Sequence, residues 1–253
     1  MLTKIYSDKT NTFQIIKEEI IDAVKDLNVT LNSIILDESD FITVTLSGED
    51  EIAAANYLKS LYGESKNLEE ISVGDTLTGY ICSSGKVGFG LFVDIGIKEP
   101  YVLDALIPLF TLRKQLMNDK IVPARKIIGL FGLIDNLPVE ITIEEKSIGL
   151  KKVEARFSDE QIARFDKWID EGLDKLIVLG AFDDTINEVL ETSEHEKDII
   201  EIETIGWREN VLTCKFNTSA KGLIPIIGRL LPKVRLEIFS PSRIKKERKE
   251  YEN

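Results

Sequence analysis

GDTLTGYICSSGKVGFGLFVDIGIKEPYVLDALIPL, residues 74–109, decides the fold at the centre of this 253-residue chain. Residues 75–83 read as a strand with Leu77, Gly79 and Ile81 on one face, because side chains alternate along a strand. Ser83-Ser84-Gly85-Lys86 is a turn, residues 89–95 are a second strand, and residues 105–109 a short third. The composition then becomes helical, over residues 111–117 and again over 123–132. Pro123 suits a first helical position, where its missing N–H costs nothing. Strands resume at residues 139–143 and 151–156. Three strands, a helical insert and two more strands is the order of a five-stranded OB-type barrel.

Upstream, residues 2–6 are a strand candidate. Phe13, Ile16, Ile20, Val24 and Leu27 recur at three- and four-residue spacing, the signature of an amphipathic helix. Residues 29–36 and the alternating Ile42, Val44 and Leu46 predict two strands joined by a turn at 37–40. A helix follows, with Ser47 as its cap, Ile52, Ala55, Leu58 and Leu61 on one face, and Gly63 as its stop. Downstream, Ser158-Asp-Glu-Gln161 is a capping box. It opens a helix on which Ile162, Phe165 and Ile169 share a face with Trp168 beside it. Strand (176–179), helix (184–190), strand (199–205), strand (211–216), helix (222–230, weakened by Pro225) and strand (234–239) give the split βαβ order. A degraded second barrel competes, since Gly222-Leu-Ile-Pro225 echoes Ala105-Leu-Ile-Pro108; the helix at 184–190 favours the split βαβ. Pro241 stops the last strand. The polar tail, 242–253, reads as a frayed helix or as unstructured chain.

The expected fold class is therefore α+β. An OB-type barrel (67–157) is flanked by two small ferredoxin-like units, βαββα (1–66) and βαββαβ (158–241).

Hydrophobic content of 43% and charged content of 30% fit a soluble globular protein. No apolar run approaches a bilayer span and MLTKIYSDKTNTF lacks a signal-peptide core, so a cytoplasmic location is expected, with no membrane partner. Cys82 and Cys214 sit far apart in apolar strand patterns and read as reduced core residues. His195 is the only histidine and there is no CxxC, which leaves no zinc site; the expectation is no metal, no cofactor and no catalytic residue. Net charge is −12, a poor basis for nonspecific nucleic-acid binding. Its distribution is uneven: residues 67–157 hold 11 Lys and Arg against 12 Asp and Glu, whereas 1–66 hold 6 against 12 and 158–253 hold 15 against 20. A nucleic-acid surface would be found in the near-neutral centre.

Phe89 and Phe92 are the first candidates there. Both face outward only if the strand bends between them, which Gly90 permits; otherwise one or both fill the core. Outward, they offer stacking surfaces for unpaired bases. Lys86 lies in the adjoining turn. Arg113, Lys114, Lys120, Arg125 and Lys126 lie in the helical insert, with Lys151 and Lys152 on the hairpin. Such a cluster can follow a phosphate backbone, or be an ordinary solvated face. Arg243, Lys245, Lys246, Arg248 and Lys249 in the tail are a weaker candidate, diluted by glutamates. Gly85-Lys-Val-Gly-Phe-Gly90 lacks the ending and the helix of a P-loop and reads as a turn.

The pattern GDTLTGYI…VGFGLFVDIG…DALIPL resembles an S1 domain, an OB-type RNA-binding module. That resemblance implies that Phe89 and Phe92 lie on an RNA-binding face. It departs from the pattern at Pro108, where a histidine often stands, and in the length of the insert. The whole chain also resembles an archaeal family, domain of unknown function 2110. The stretches that carry this likeness are the S1-like one, Gly132-Leu-Ile-Asp-Asn-Leu-Pro138, Lys175-Leu-Ile-Val-Leu-Gly180 and Lys221-Gly-Leu-Ile-Pro-Ile-Ile-Gly228.

These readings together predict a non-enzymatic binder of single-stranded RNA or a ribonucleoprotein in archaeal translation, transcription or RNA processing. Phe89, Phe92, Lys86, Lys114, Arg125 and Lys126 are its expected contacts. The alternative is a protein-interaction adaptor, its barrel a scaffold that docks on RNA polymerase or ribosomal proteins without direct RNA contact; in either case the acidic flanking domains are further surfaces for protein partners.

Overall fold

The computed structural model describes residues 9–250, so the strand expected at residues 2–6 lies outside them. Contacts group the chain into two units, 1–71 with 96–103, and 72–95 with 104–253.

In the first unit, α1 (Lys9–Ala23) precedes β1 (Val29–Leu36) and β2 (Ile42–Gly48), an antiparallel hairpin. Asp37 forms its turn, its carboxylate accepting from the amides of Ser39 and Phe41 at 2.8 and 3.0 Å, as short acidic side chains do in turns. α2 (Glu51–Tyr62) starts after Asp50, not after Ser47, and ends at Gly63. It buries Ala54 and Leu58, while Ile52 and Leu61 stay exposed. The buried face is thus displaced from the expected one: Ala54 and Leu58, an i, i+4 pair on one side of the helix, replace Ile52, Ala55 and Leu61. Tyr62 donates to Glu19 at 3.1 Å and ties α2 to α1. β3 (Lys66–Asn67) pairs in parallel with Ile97 and Glu99, and leads into a 3₁₀ turn at Leu68–Glu70. The Lys98 ammonium pairs with Asp37 and lies 5.2 Å from the Phe41 ring centroid. Burial alone would raise the Asp37 carboxyl pKa, but Lys98 and the two turn amides outweigh it and hold it below the ordinary value.

The second unit begins with the barrel: β4 (Thr76–Cys82), β5 (Gly90–Glu99), β6 (Leu103–Pro108), α3 (Leu109–Met117), α4 (Ala124–Leu130), β7 (Pro138–Ser147) and β8 (Lys152–Phe157). The strands run β5-β4-β7-β8-β6, and β6 pairs back on β5 to close the barrel. Only the β6–β8 contact among the registered barrel pairs is parallel. Ile81, Leu91, Val93, Ile95, Ala105, Ile141 and Ile143 are buried among its inward residues. Pro123 sits at the cap of α4, one residue before the helix.

Ser158 caps α5 (Asp159–Glu171), its hydroxyl accepting from the Gln161 amide at 3.0 Å. The other half of the expected capping box goes elsewhere: Gln161 accepts from the Glu140 amide at 3.1 Å, which fastens α5 to β7. Then come β9 (Lys175–Leu179), α6 (Asp183–Thr192), β10 (Ile199–Thr204), β11 (Glu209–Cys214), α7 (Ala220–Leu230) and β12 (Arg235–Phe239). Their sheet is antiparallel between neighbours in the order β10-β11-β9-β12, the split βαβ arrangement and not a second barrel. Every residue of β9 and β11 is buried. Leu176, Val178 and Leu212 join Ile186, Leu190, Leu223 and Ile227 in one core cluster. Pro225 stands inside α7, which forms nonetheless because Ala220, Leu223 and Ile227 are buried.

Over its described residues the tail is a packed helix, not a frayed one. α8 (Pro241–Glu250) buries Ile244, and its Arg248 donates to the Leu116 carbonyl at 3.0 Å and covers the Phe131 ring. Barrel and sheet meet in a cluster of aromatic rings. Phe165 stacks on Phe239 at 6.1 Å and meets Phe131 and Phe157 edge-on at 5.7 and 5.6 Å, while Trp168 meets Phe239 at 5.1 Å. Gly132 closes this seam with φ +62°; a side chain there would lie 3.0 Å from Ile177 and 3.3 Å from the Ile238 carbonyl. Both cysteines are free. Among the described residues no helix is long and apolar enough to cross a membrane.

Candidate nucleic-acid interface

The β4–β5 turn organises the candidate surface. Ser83 and Gly85 take positive φ (54° and 69°), and the Lys86 amide donates to the Ser83 carbonyl at 3.2 Å. Two outside groups hold the turn: Asp135 accepts from the Ser84 amide at 2.6 Å, and Arg125 donates to the Gly85 carbonyl at 2.8 Å. Lys86 is left exposed at the tip, with its ammonium 3.5 Å from Ser83 Oγ.

Phe89 precedes the first residue of β5, so strand alternation does not govern it. It is 58% exposed. Phe92 is half-buried and faces outward with Cys82, its register partner, while Leu91 and Val93 point into the core. The two rings meet edge to face, centroids 6.0 Å apart at 89°. Gly90 makes this possible by closeness more than by bending. A Cβ on it would lie 2.4 Å from the Ile107 carbonyl oxygen and 2.7 Å from Leu106, so β6 can approach only a glycine.

β6 also brings in an aromatic that sequence reasoning missed. Leu109 donates to the Phe89 carbonyl at 2.8 Å, which sets the start of α3 beside Phe89. Phe110 follows and is 67% exposed. One helical turn later stands Lys114, also exposed. The signal was available in the pattern: Leu112 and Leu116 form the buried face of α3, and Phe110 and Lys114 share the opposite one.

The other basic candidates divide. Lys126 pairs with Glu247 of α8 at 2.6 Å, pointing away from the turn. Arg113 donates to the Val122 carbonyl at 2.9 Å, and Lys120 bonds the Arg248 carbonyl. Lys152 pairs with Glu145 and Glu154 at 3.1 and 2.9 Å. Lys86, Phe89, Phe92 and Arg125 therefore surround one turn, Lys114 and Phe110 sit beside it, and Lys126 is drawn elsewhere.

Carboxylates also border this face. Burial first, then a hydrogen bond to Asp104 and the charges of Asp94 and Asp135, push the Cys82 thiol pKa up. Asp94 is two residues from Phe92 on the same row and pairs in register with Tyr80, but is itself buried. Among the described residues no group of three His, Cys, Asp or Glu side chains is placed to hold a metal ion. His195 is bonded to Asp198 at 2.7 Å.

Three family models match in series: the DUF2110 N-terminal domain over residues 1–68, the central domain over 71–169 and the C-terminal domain over 173–239. The chain belongs to the DUF2110 family. The barrel and α5 make up the DUF2110 central domain, and the split βαβ sheet makes up the C-terminal one. No curated protein matches the chain.

Proposed function

We propose that the barrel binds single-stranded RNA or the RNA of a ribonucleoprotein, without catalysing a reaction. One observation carries this reading: two outward phenylalanines, set by Gly90 beside a turn that presents Lys86 and Arg125. A ring that is exposed contributes little to the core, and its face is free to stack on a base at about 1–3 kcal/mol per base. Because the rings stand at 89°, they cannot both lie parallel to one base. A base stacked on Phe92 meets the edge of Phe89, and the next nucleotide turns to reach the second ring or Phe110. Lys86, Arg125 and Lys114 supply charge to the backbone.

A short single-stranded RNA titrated by fluorescence anisotropy tests this. Phe89→Ala with Phe92→Ala should weaken binding at least about tenfold, since 1.4 kcal/mol is a factor of ten. Unchanged binding by that variant, or no binding at low salt, would sink the idea.

A protein-docking role for the same face is the second reading. It is favoured by the half-buried Asp104 and Asp135 beside Cys82, which repel phosphate but suit a basic partner. Capture from lysate with and without nuclease separates the two, because protein contacts survive removal of RNA.

A further inference from the structure

β10 is an edge strand, and the groove along it is open. The groove holds about 320 Å³ and is lined by Asp183, Asn187 and Leu190 of α6, Glu196, and the first four residues of β10. The inner side of β10 is paired with β11. Ile205 donates to Glu209 at 2.9 Å, and Glu203 and Glu201 stand opposite Val211 and Thr213 in the same two-residue rhythm. In an antiparallel ladder the residues between such pairs turn their N–H and C=O outward. Ile202, which lines the groove, and Thr204, just beyond it, therefore turn their backbone groups to the free edge of the sheet, and among the described residues no strand other than β11 pairs with β10. A register shift between Ile199 and Glu201 also pushes Ile200 out of the ladder, leaving it 59% exposed. Phe216, 76% exposed, belongs to the loop that meets the start of the strand through the Lys215–Asp198 backbone bond.

Bulges and charges are the ordinary protection of a sheet edge, but here they leave two large apolar side chains in solvent. The charge is also mostly of one sign, with Glu203 held by Arg164 and Trp168 of α5 at 3.5 and 3.3 Å. Residues 183–203 carry nine carboxylates and a single lysine, most of the excess behind the chain's −12. A second copy of this edge would bring like charges together. A lysine- or arginine-bearing strand would neutralise them.

We propose that β10 and α6 form a docking groove for an extended basic segment of a partner protein, which adds to the sheet as a fifth strand. Backbone bonds to Ile202 and Thr204 supply the pairing, and alternate basic side chains meet Asp183, Glu196 and Glu201. This site is separate from the barrel surface, and failure of RNA binding there leaves it untouched.

Residue-resolved amide exchange by NMR on the full chain tests it, with an octapeptide alternating lysine and valine, one alternating glutamate and valine, and oligouridine as probes. The lysine peptide should slow exchange at Ile202 and Thr204 at least tenfold, and the glutamate peptide and oligouridine should not. Glu196→Lys with Glu201→Lys, both exposed positions, should abolish the first effect. Binding of the lysine peptide without new protection at those two amides would overturn the proposal. So would equal protection by the glutamate peptide or by oligouridine, or protection that grows with protein concentration alone, which means self-pairing.

Discussion

Phe89 and Phe92 face solvent on the barrel, whereas Phe165 and Phe239 lie stacked in the seam where α5 and β12 meet the barrel. Each pair stands about 6 Å apart, yet the surroundings differ completely. The seam rings touch Phe131, Phe157 and Trp168 and are shut from water. The barrel rings touch chiefly each other. Aromatic area that binds the molecule together is spent inside, and aromatic area left outside is available to a ligand.

The strongest way to break that contrast is Phe165→Ala. Removing the ring at the middle of the seam should cost about 3–5 kcal/mol, by the usual range for buried aromatic truncation. Urea unfolding checks it, and a loss under about 1 kcal/mol would mean the seam is not a shared core. Gly90→Val comes next. Its Cβ meets the Ile107 carbonyl at 2.4 Å, so β5 and β6 must part, at about 1–3 kcal/mol for overpacking. RNA affinity should fall with it, because the shift moves Phe89 and Phe92.

Glu209→Gln probes the seam from another side. Burial raises the Glu209 carboxyl pKa, against the opposing amide and charge of Arg208. A raised acid binds its proton more tightly when folded, so wild-type stability falls as pH rises through the ordinary carboxylate range to the higher folded value. The variant lacks that loss. Its stability relative to wild type should climb over the same window and then level off, and denaturation midpoints read across pH will show whether it does. Phe89→Ala should have the smallest effect on stability, within about 0.5 kcal/mol as for other exposed positions. A larger change would place the ring among the structural ones.

Strand order was legible because turns and glycines punctuate it. Gly79, Gly85 and Gly90 mark where the barrel chain bends or approaches, and the pairing follows from that. The helical tail was not legible: α8 offers only Pro241 and Ile244 as buried apolar residues and gains its place from Arg248 against Phe131 and Leu116, contacts more than a hundred residues away in sequence. The face of α2 failed for a related reason, since what packs against the helix covers Ala54 and Leu58 and leaves Ile52 and Leu61 in solvent. At the candidate interface the strand pattern left Phe89 and Phe92 open between core and surface, because alternation would part them, and only the start of β5 at Gly90 frees Phe89 from it. The carboxylates were not legible, because Asp94, Asp104 and Asp135 come together around Cys82 only once the strands are in register.

Finally, the excursion at residues 96–103 has a practical side. It belongs with residues 1–71, although the chain reaches it from within the barrel. Three backbone crossings, after residues 71, 95 and 103, therefore join the two units. A cut at residue 71 would strip Asp37 and Phe41 of Lys98 and leave the remaining piece carrying an eight-residue loop made for another core. Dissection of this chain by simple truncation should yield two poorly behaved fragments, and grafting Lys98 and its loop back onto the first is the natural remedy.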